Sequence, residues 1–348
     1  MHRGGTIPSQ SSVTDLWCFI LGSILISSFV QPQQVFSGEK KRSNSAASPY
    51  RGPIIDAHNH PKRKKIHLKE FFGEAKAANV EKVIVMTTPN DYRKGEQRLL
   101  RNARNYSRAI ILCSSNFVGF IHVEDLDRAR RELRQVREDL KNGVCGGVGE
   151  VGLRHYDKTA KQGGNYRGQP EVLINLDHAL VLEMISLADR HGAPVVMHIE
   201  PVYRVAGIDK LSEVKKWYKK TCRRYPRAKL IASHNGMMSP KDLEDLFLSC
   251  ANLFADIKFL HSRGLVAGFQ DLHPMNDLDL ELFPHWGQMI KKYPERFIFG
   301  SDWKYGRRRS FGDYTGHLRA VRKMLEVLAP TIQRKVLYEN AKRVFSID

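Results

Sequence analysis

Eight short apolar runs, each followed by polar or amphipathic sequence, constrain the fold of this chain more than any other feature. They are Ile54–His58, Lys82–Thr87, Phe117–Val123, Gly146–Val151, Pro194–Ile199, Lys229–His234, Leu253–Phe259 and Arg296–Ser301. The runs are nearly continuous rather than alternating, the pattern of strands buried on both faces. Helical periodicity fills the intervals, as in Leu126–Lys141, Leu176–His191 and Leu211–Tyr225. Parallel strands need such crossovers, and eight in succession predict a closed (β/α)8 TIM barrel over an open doubly wound sheet. No GxGxxG follows the first run, so the dinucleotide-binding form of the open sheet lacks its phosphate loop. Of the 348 residues, 50–348 are assigned to the barrel.

The N-terminus reads differently. Leu16–Val30 is mostly apolar, short for a membrane span and suited to the core of a signal peptide. Residues 1–37 are therefore expected to form a signal peptide, with Val35 and Ser37 as cleavage positions, and 38–49 a polar linker. The expectation is an exported chain, periplasmic or extracellular, with no stable membrane span in its mature form. Cys113, Cys145, Cys222 and Cys250 lack CxxC spacing, which removes support for a zinc ribbon or a thioredoxin-like motif. Cys113 and Cys145 lie in apolar, strand-like sequence and read as buried, inert thiols. The formal charge is +19, and residues 1–37 add nothing to it because Arg3 and Asp15 cancel. Such an excess favours anionic partners.

Catalytic groups of a barrel come from the C-terminal ends of its strands and the loops beyond. His58 and His60 (DAHNHP) close the first run, and the two-residue period of a strand puts both imidazoles on one face. Glu150 (GVGEVGL), His198 (VVMHIEP), His234 (IASHNGM) and Asp302 (FGSDW) close the fourth, fifth, sixth and eighth. A lone strand-end histidine is ordinarily a hydrogen-bonded core residue, and a glutamate among glycines could cap a helix. Six ligand-type residues at five strand ends instead predict a site for zinc or a similar divalent ion. Basic residues recur in the same rim segments, among them Lys62–Lys65 and Arg307–Arg309. Arg154, Lys258, Arg204 and Lys304 are the predicted contacts to a small anionic substrate.

These motifs together resemble the amidohydrolase superfamily, from Ile54 to Asp348 and including the ending YENAKRVF at Tyr338–Phe345. The DxHxH opening and GSD ending are similar to its amidohydrolase-related branch. The GEVGL segment also resembles TatD-type deoxyribonucleases, although Arg154 stands where they carry an acidic residue and Gly300-Ser301 precede the final Asp302. The resemblance implies one metal on His58, His60 and Asp302 and a second on His198 and His234, with Glu150 bridging them. It implies zinc, or manganese, iron or nickel, and Asp302 as the catalytic base. The activity it implies is hydrolysis of a small ester, lactone, amide or phosphoester by a metal-activated hydroxide. Metal-dependent non-oxidative decarboxylation is the alternative, and a TatD-like nuclease a further one.

Overall fold

The computed structural model describes residues 48–60, 66–88, 100–156, 171–203, 206–259, 273–277, 279–304 and 313–348. The expected signal peptide, most of the expected linker, Arg204 and the basic stretches Lys62–Lys65 and Arg307–Arg309 lie outside the described residues.

The eight long-axis strands are β1 Ile54–His60, β2 Val80–Val85, β3 Ala109–Ile111, β4 Val148–His155, β5 Pro194–Ile199, β6 Lys229–Ala232, β7 Leu253–Ile257 and β8 Phe297–Phe299. Every neighbouring pair among them is parallel, β1 to β3 in one run and β4 to β8 in another. Two seams join the runs. Cys113 bridges Val148 in parallel beyond β3. Asn59 and His60 pair with Trp303 and Lys304, just past β8. Strand order around the sheet is sequence order, as a TIM barrel requires.

Among the helices of the described residues are α1 Ile66–Ala77, α2 Asn116–His122, α3 Leu126–Lys141, α4 Ala179–His191, α5 Leu211–Arg224, α6 Pro240–Ser249, α7 Pro284–Lys292 and α8 Tyr314–Leu325. Two short ones, α9 Pro330–Arg334 and α10 Asn340–Val344, flank a π-helical turn at Lys335–Glu339. Local chemistry explains their limits. The Asp125 carboxylate accepts from Arg128 N and starts α3, whose Ala129, Leu133, Val136 and Leu140 are buried at helical spacing. Ser239 and Pro240 start α6, and Gly192 at φ 60° ends α4. Among the described residues no helix is long and apolar enough to cross a membrane.

Two expectations are corrected. Phe117–Val123 is not the third strand: it falls almost entirely within α2, and β3 lies upstream at Ala109–Ile111. Asn116 to Ile121 are all buried, and a short apolar run buried on every side carries no periodicity to separate helix from strand. The cysteines are not free thiols: Cys113 pairs with Cys145 and Cys222 with Cys250, with Cα separations of 5.3 and 5.4 Å. Partners 32 and 28 residues apart make no local motif. Cys113 follows β3 and Cys145 precedes β4, its sheet neighbour, while Cys222 lies on α5 and Cys250 ends α6.

The apolar interior explains why polar chemistry collects at one end. Ile55, Ala57, Ile84, Met86, Leu112, Val196, Ile231, Phe254 and Ile298 form one buried cluster that draws on seven of the strands or the residues directly beyond them. Ala341, Val344, Phe345 and Ile347 at the C-terminus complete it. A larger apolar shell packs between the strands and the surrounding helices. The inward positions left for polar side chains are those further along each strand.

Candidate metal centre

The first candidate ligand pair depends on an irregularity in β1. Asp56 pairs with Val83 and Asn59 with Val85, so β1 carries one residue more than β2 across this interval. Such a bulge re-aims side chains. Ala57 joins the interior cluster, while Asp56 reaches the Tyr314 hydroxyl on α8 at 2.7 Å and accepts the Ser301 N–H at 2.8 Å. His58 and His60 both turn into the centre, fully buried.

Their second nitrogens set which atom each offers. His58 Nδ1–H donates to Asp256 Oδ2 at 2.6 Å, and His60 Nδ1–H to the Met86 carbonyl at 3.3 Å. Both therefore present Nε2 to the centre, and those two atoms lie 3.1 Å apart. Glu150 Oε2 is 3.4 Å from each of them, and Asp302 Oδ1 is 3.2 Å from His60 Nε2. Donors around a tetrahedral zinc with bonds of ~2.0–2.1 Å stand about 3.3 Å from one another, and these four contacts have that spacing.

The other oxygen of Glu150 faces a second set. Oε1 lies 3.0 Å from His198 Nδ1 and 3.8 Å from His234 Nε2. Glu150, His198 and His234 offer one atom each within 4.8 Å of one another, as do His58, His60 and Asp302. His198 Nε2 meets Glu200 Oε1 at 3.1 Å. His234 Nδ1 is buried 3.6 Å from Asp256 Oδ1, beyond hydrogen-bonding distance, and has no other hydrogen-bond partner among the described residues. Two imidazole-rich sets sharing one carboxylate suit borderline divalent ions.

Backbone conformation reaches these positions by unusual routes. His234 sits in a tight turn at φ 57°, ψ 47°, and Asp302 has φ 49°. Left-handed conformations cost a non-glycine residue about 1–2 kcal/mol each and persist where tertiary contacts over-determine them. Glu150 is the third residue of β4, which runs on to His155 and pairs with Val172–Leu173. It thus lies within its strand and not at the end.

The electrostatics are those of a site arranged for cations. Burial pushes the His58 pKa down, yet the Glu150 and Asp256 carboxylates override it and hold that pKa well above the usual histidine value. His198 is raised too, burial being outweighed chiefly by Glu150. Burial opposes ionisation of Glu150, but His58 and His198 keep it well below the ordinary carboxylate range. Burial likewise opposes ionisation of Asp302, and Lys258 and Lys304 hold it well below its normal value. His234 goes the other way, down to about 4, through burial and the nearby Lys258.

The structure brings all six predicted ligands together. Among the predicted substrate contacts, Lys258 Nζ lies 2.6 Å from Asp302 Oδ2, and Lys304 acts on the same carboxylate. Arg154 is buried near the end of β4, with Nη2 on Glu213 at 2.7 Å and Nη1 without a hydrogen-bond partner among the described residues. Asp256 and Glu200 were not predicted. Asp256 stands in an otherwise apolar strand and Glu200 two residues beyond His198, and a charge inside an inward-facing run was the available signal.

Comparison with known proteins bears on the family and the fold. The family model described as Amidohydrolase matches residues 55–347. A search of curated proteins returns no match. Among solved structures, a probable 2-pyrone-4,6-dicarboxylic acid hydrolase from Acinetobacter baumannii with citric acid bound aligns at TM-score 0.51 and 14% identity, over 84% of this chain and 99% of its own. A 2,6-dihydroxybenzoate decarboxylase complexed with 2,6-dihydroxybenzoate aligns at TM-score 0.52 and 12% identity, over 85% and 100%. An uncharacterised TIM-barrel protein from Bordetella bronchiseptica aligns at TM-score 0.51 and 14% identity, over 84% and 98%. These similarities concern the fold. With the family match spanning nearly all of the barrel, the chain belongs to the amidohydrolase family of enzymes.

Proposed function

We propose that the chain is a metal-dependent hydrolase of small anionic esters, lactones, amides or phosphoesters, using two divalent cations. The observation that carries this reading is the division of Glu150, with Oε2 toward His58 and His60 and Oε1 toward His198 and His234. His58, His60 and Asp302 would hold one cation, His198 and His234 the other, and Glu150 both. A divalent pair supplies Lewis acidity toward the scissile carbonyl or phosphoryl group and makes water a stronger acid.

The chain's own groups would do the rest. Asp302, kept ionised beside Lys258 and Lys304, is the base placed to take a proton from water and pass it to the leaving group. Lys258 and Lys304 are cations at the same spot, and Arg154 has a buried N–H group without a hydrogen-bond partner among the described residues. Together they suit a carboxylate or phosphate on the substrate. The ligands of two fold neighbours, citric acid and 2,6-dihydroxybenzoate, are of that class. Two disulfides fit folding in an oxidising compartment, in keeping with an exported, periplasmic or extracellular protein.

The test is metal content by plasma mass spectrometry on protein purified without chelator, beside a Glu150→Ala variant. About two equivalents of metal, falling to one or fewer in the variant, are expected for a shared carboxylate. One equivalent, unchanged in the variant, removes Glu150 from the site. The loaded protein is then assayed on carboxylate-bearing esters, lactones and phosphoesters, with carbon dioxide release from aromatic acids measured in parallel. Release of carbon dioxide without hydrolysis would replace this reading with decarboxylation. Cleavage of DNA at low salt would replace it with a nuclease.

A further inference from the structure

The role of Asp256 rests on the metal-centre reading and extends it. Its carboxylate is buried, and both oxygens are committed. Oδ2 accepts from His58 Nδ1 at 2.6 Å. Oδ1 accepts from the backbone N–H of His234 at 2.6 Å. One side chain therefore touches a ligand of each proposed cation, and touches neither through its coordinating atom.

At His58 the contact fixes chemistry. A ring that donates Nδ1–H to a carboxylate keeps its Nε2 lone pair for a metal, and the carboxylate makes that nitrogen a better donor. His58 Nε2 is the atom that faces His60 Nε2 and Glu150 Oε2. At His234 the contact fixes conformation. The turn carrying His234, Asn235 and Gly236 has positive φ at all three positions, and its first N–H is tied to Asp256. The His58 and His234 rings then stack with centroids 5.0 Å apart.

Asp256 also groups with His58 and His234 as a possible cation ligand in its own right. Two observations favour positioning instead. Its oxygens are already occupied by N–H donors at short distance, and His58 is held by the nitrogen opposite to the one that faces the centre. We propose that Asp256 is a positioning residue for both metal sites, setting the tautomer of His58 and holding the His234 turn.

Zn²⁺ and Co²⁺ alone are the probes. Dissociation constants are measured by competition with a chromophoric chelator for the wild type, Asp256→Asn and Asp256→Ala, and the visible spectra of the cobalt-loaded proteins are compared. Asp256→Asn can still accept from His234 N–H, but its NH₂ placed against His58 Nδ1 favours the other tautomer. The expected result is 10–100-fold weaker binding and an altered cobalt spectrum, with a larger loss for Asp256→Ala. Unchanged affinity and spectrum in both variants would overturn the proposal. A wild type that binds neither ion would sink the metal-centre reading, and this inference with it. A measurement independent of variant folding is ¹⁵N NMR of zinc-loaded wild type. His58 is expected to carry its proton on Nδ1, and a proton on Nε2 would overturn the assignment.

Discussion

Gly300 shows how closely the centre is built. A Cβ at this position would stand 2.7 Å from His58 Cβ and 3.4 Å from Asp256 Cβ. The glycine of the GSD segment is therefore needed for close approach, bringing β8 against the His58–Asp256 pair. Gly300→Ala is expected to destabilise the fold by about 1–3 kcal/mol, the usual cost of overpacking, and to weaken zinc binding by moving His58. Chemical denaturation and zinc titration of the variant check both effects, and native affinity would show that the neighbourhood relaxes. The six candidate ligands were legible because each is a chemically distinctive side chain at a recognisable place in its run. The need for Gly300 was not legible, since it depends on which side chains two other strands bring near it.

Elements were legible to the extent that their periodicity was local. The α3 segment, with its buried stripe of Ala129, Leu133, Val136 and Leu140, has the boundaries its pattern predicted. The α2 segment reversed its expected type because complete burial erases the polar positions that mark a helix face. Disulfides are a pure case of non-local information, because α5 and α6 must first pack before Cys222 and Cys250 can meet. That bridge closes a loop of 28 residues, and its loss is expected to remove about 2–4 kcal/mol of stability. Urea unfolding of a Cys222→Ser, Cys250→Ser double variant measures this, and an unchanged midpoint would mean the bridge adds nothing.

Across the whole molecule, strands β1, β4, β5 and β6 and the segment after β8 converge their charges on one buried centre, which ties stability and metal binding to pH. In the metal-free protein His58 and His198 are raised, so their ion pairs stabilise the fold below the ordinary histidine pKa and fade as pH climbs through the raised values. Glu150 is depressed, so its share is present above the ordinary carboxylate pKa and fades as pH falls through the lowered one. A cation must displace the histidine protons, so zinc affinity is expected to fall as pH drops, with protons released on binding near neutrality. Calorimetry in two buffers of different ionisation enthalpy reads that release directly, and identical heats in both would contradict the arrangement.

The barrel and the six candidate ligands could be read from the chain alone, because strand burial, helical period and ligand chemistry are written in short stretches of it. That Glu150 turns one oxygen to each histidine set, that Asp256 joins His58 to the His234 turn, and which cysteines pair came from the folded arrangement. Those facts are distances between strands and helices remote in sequence, and no local pattern encodes a distance across a barrel.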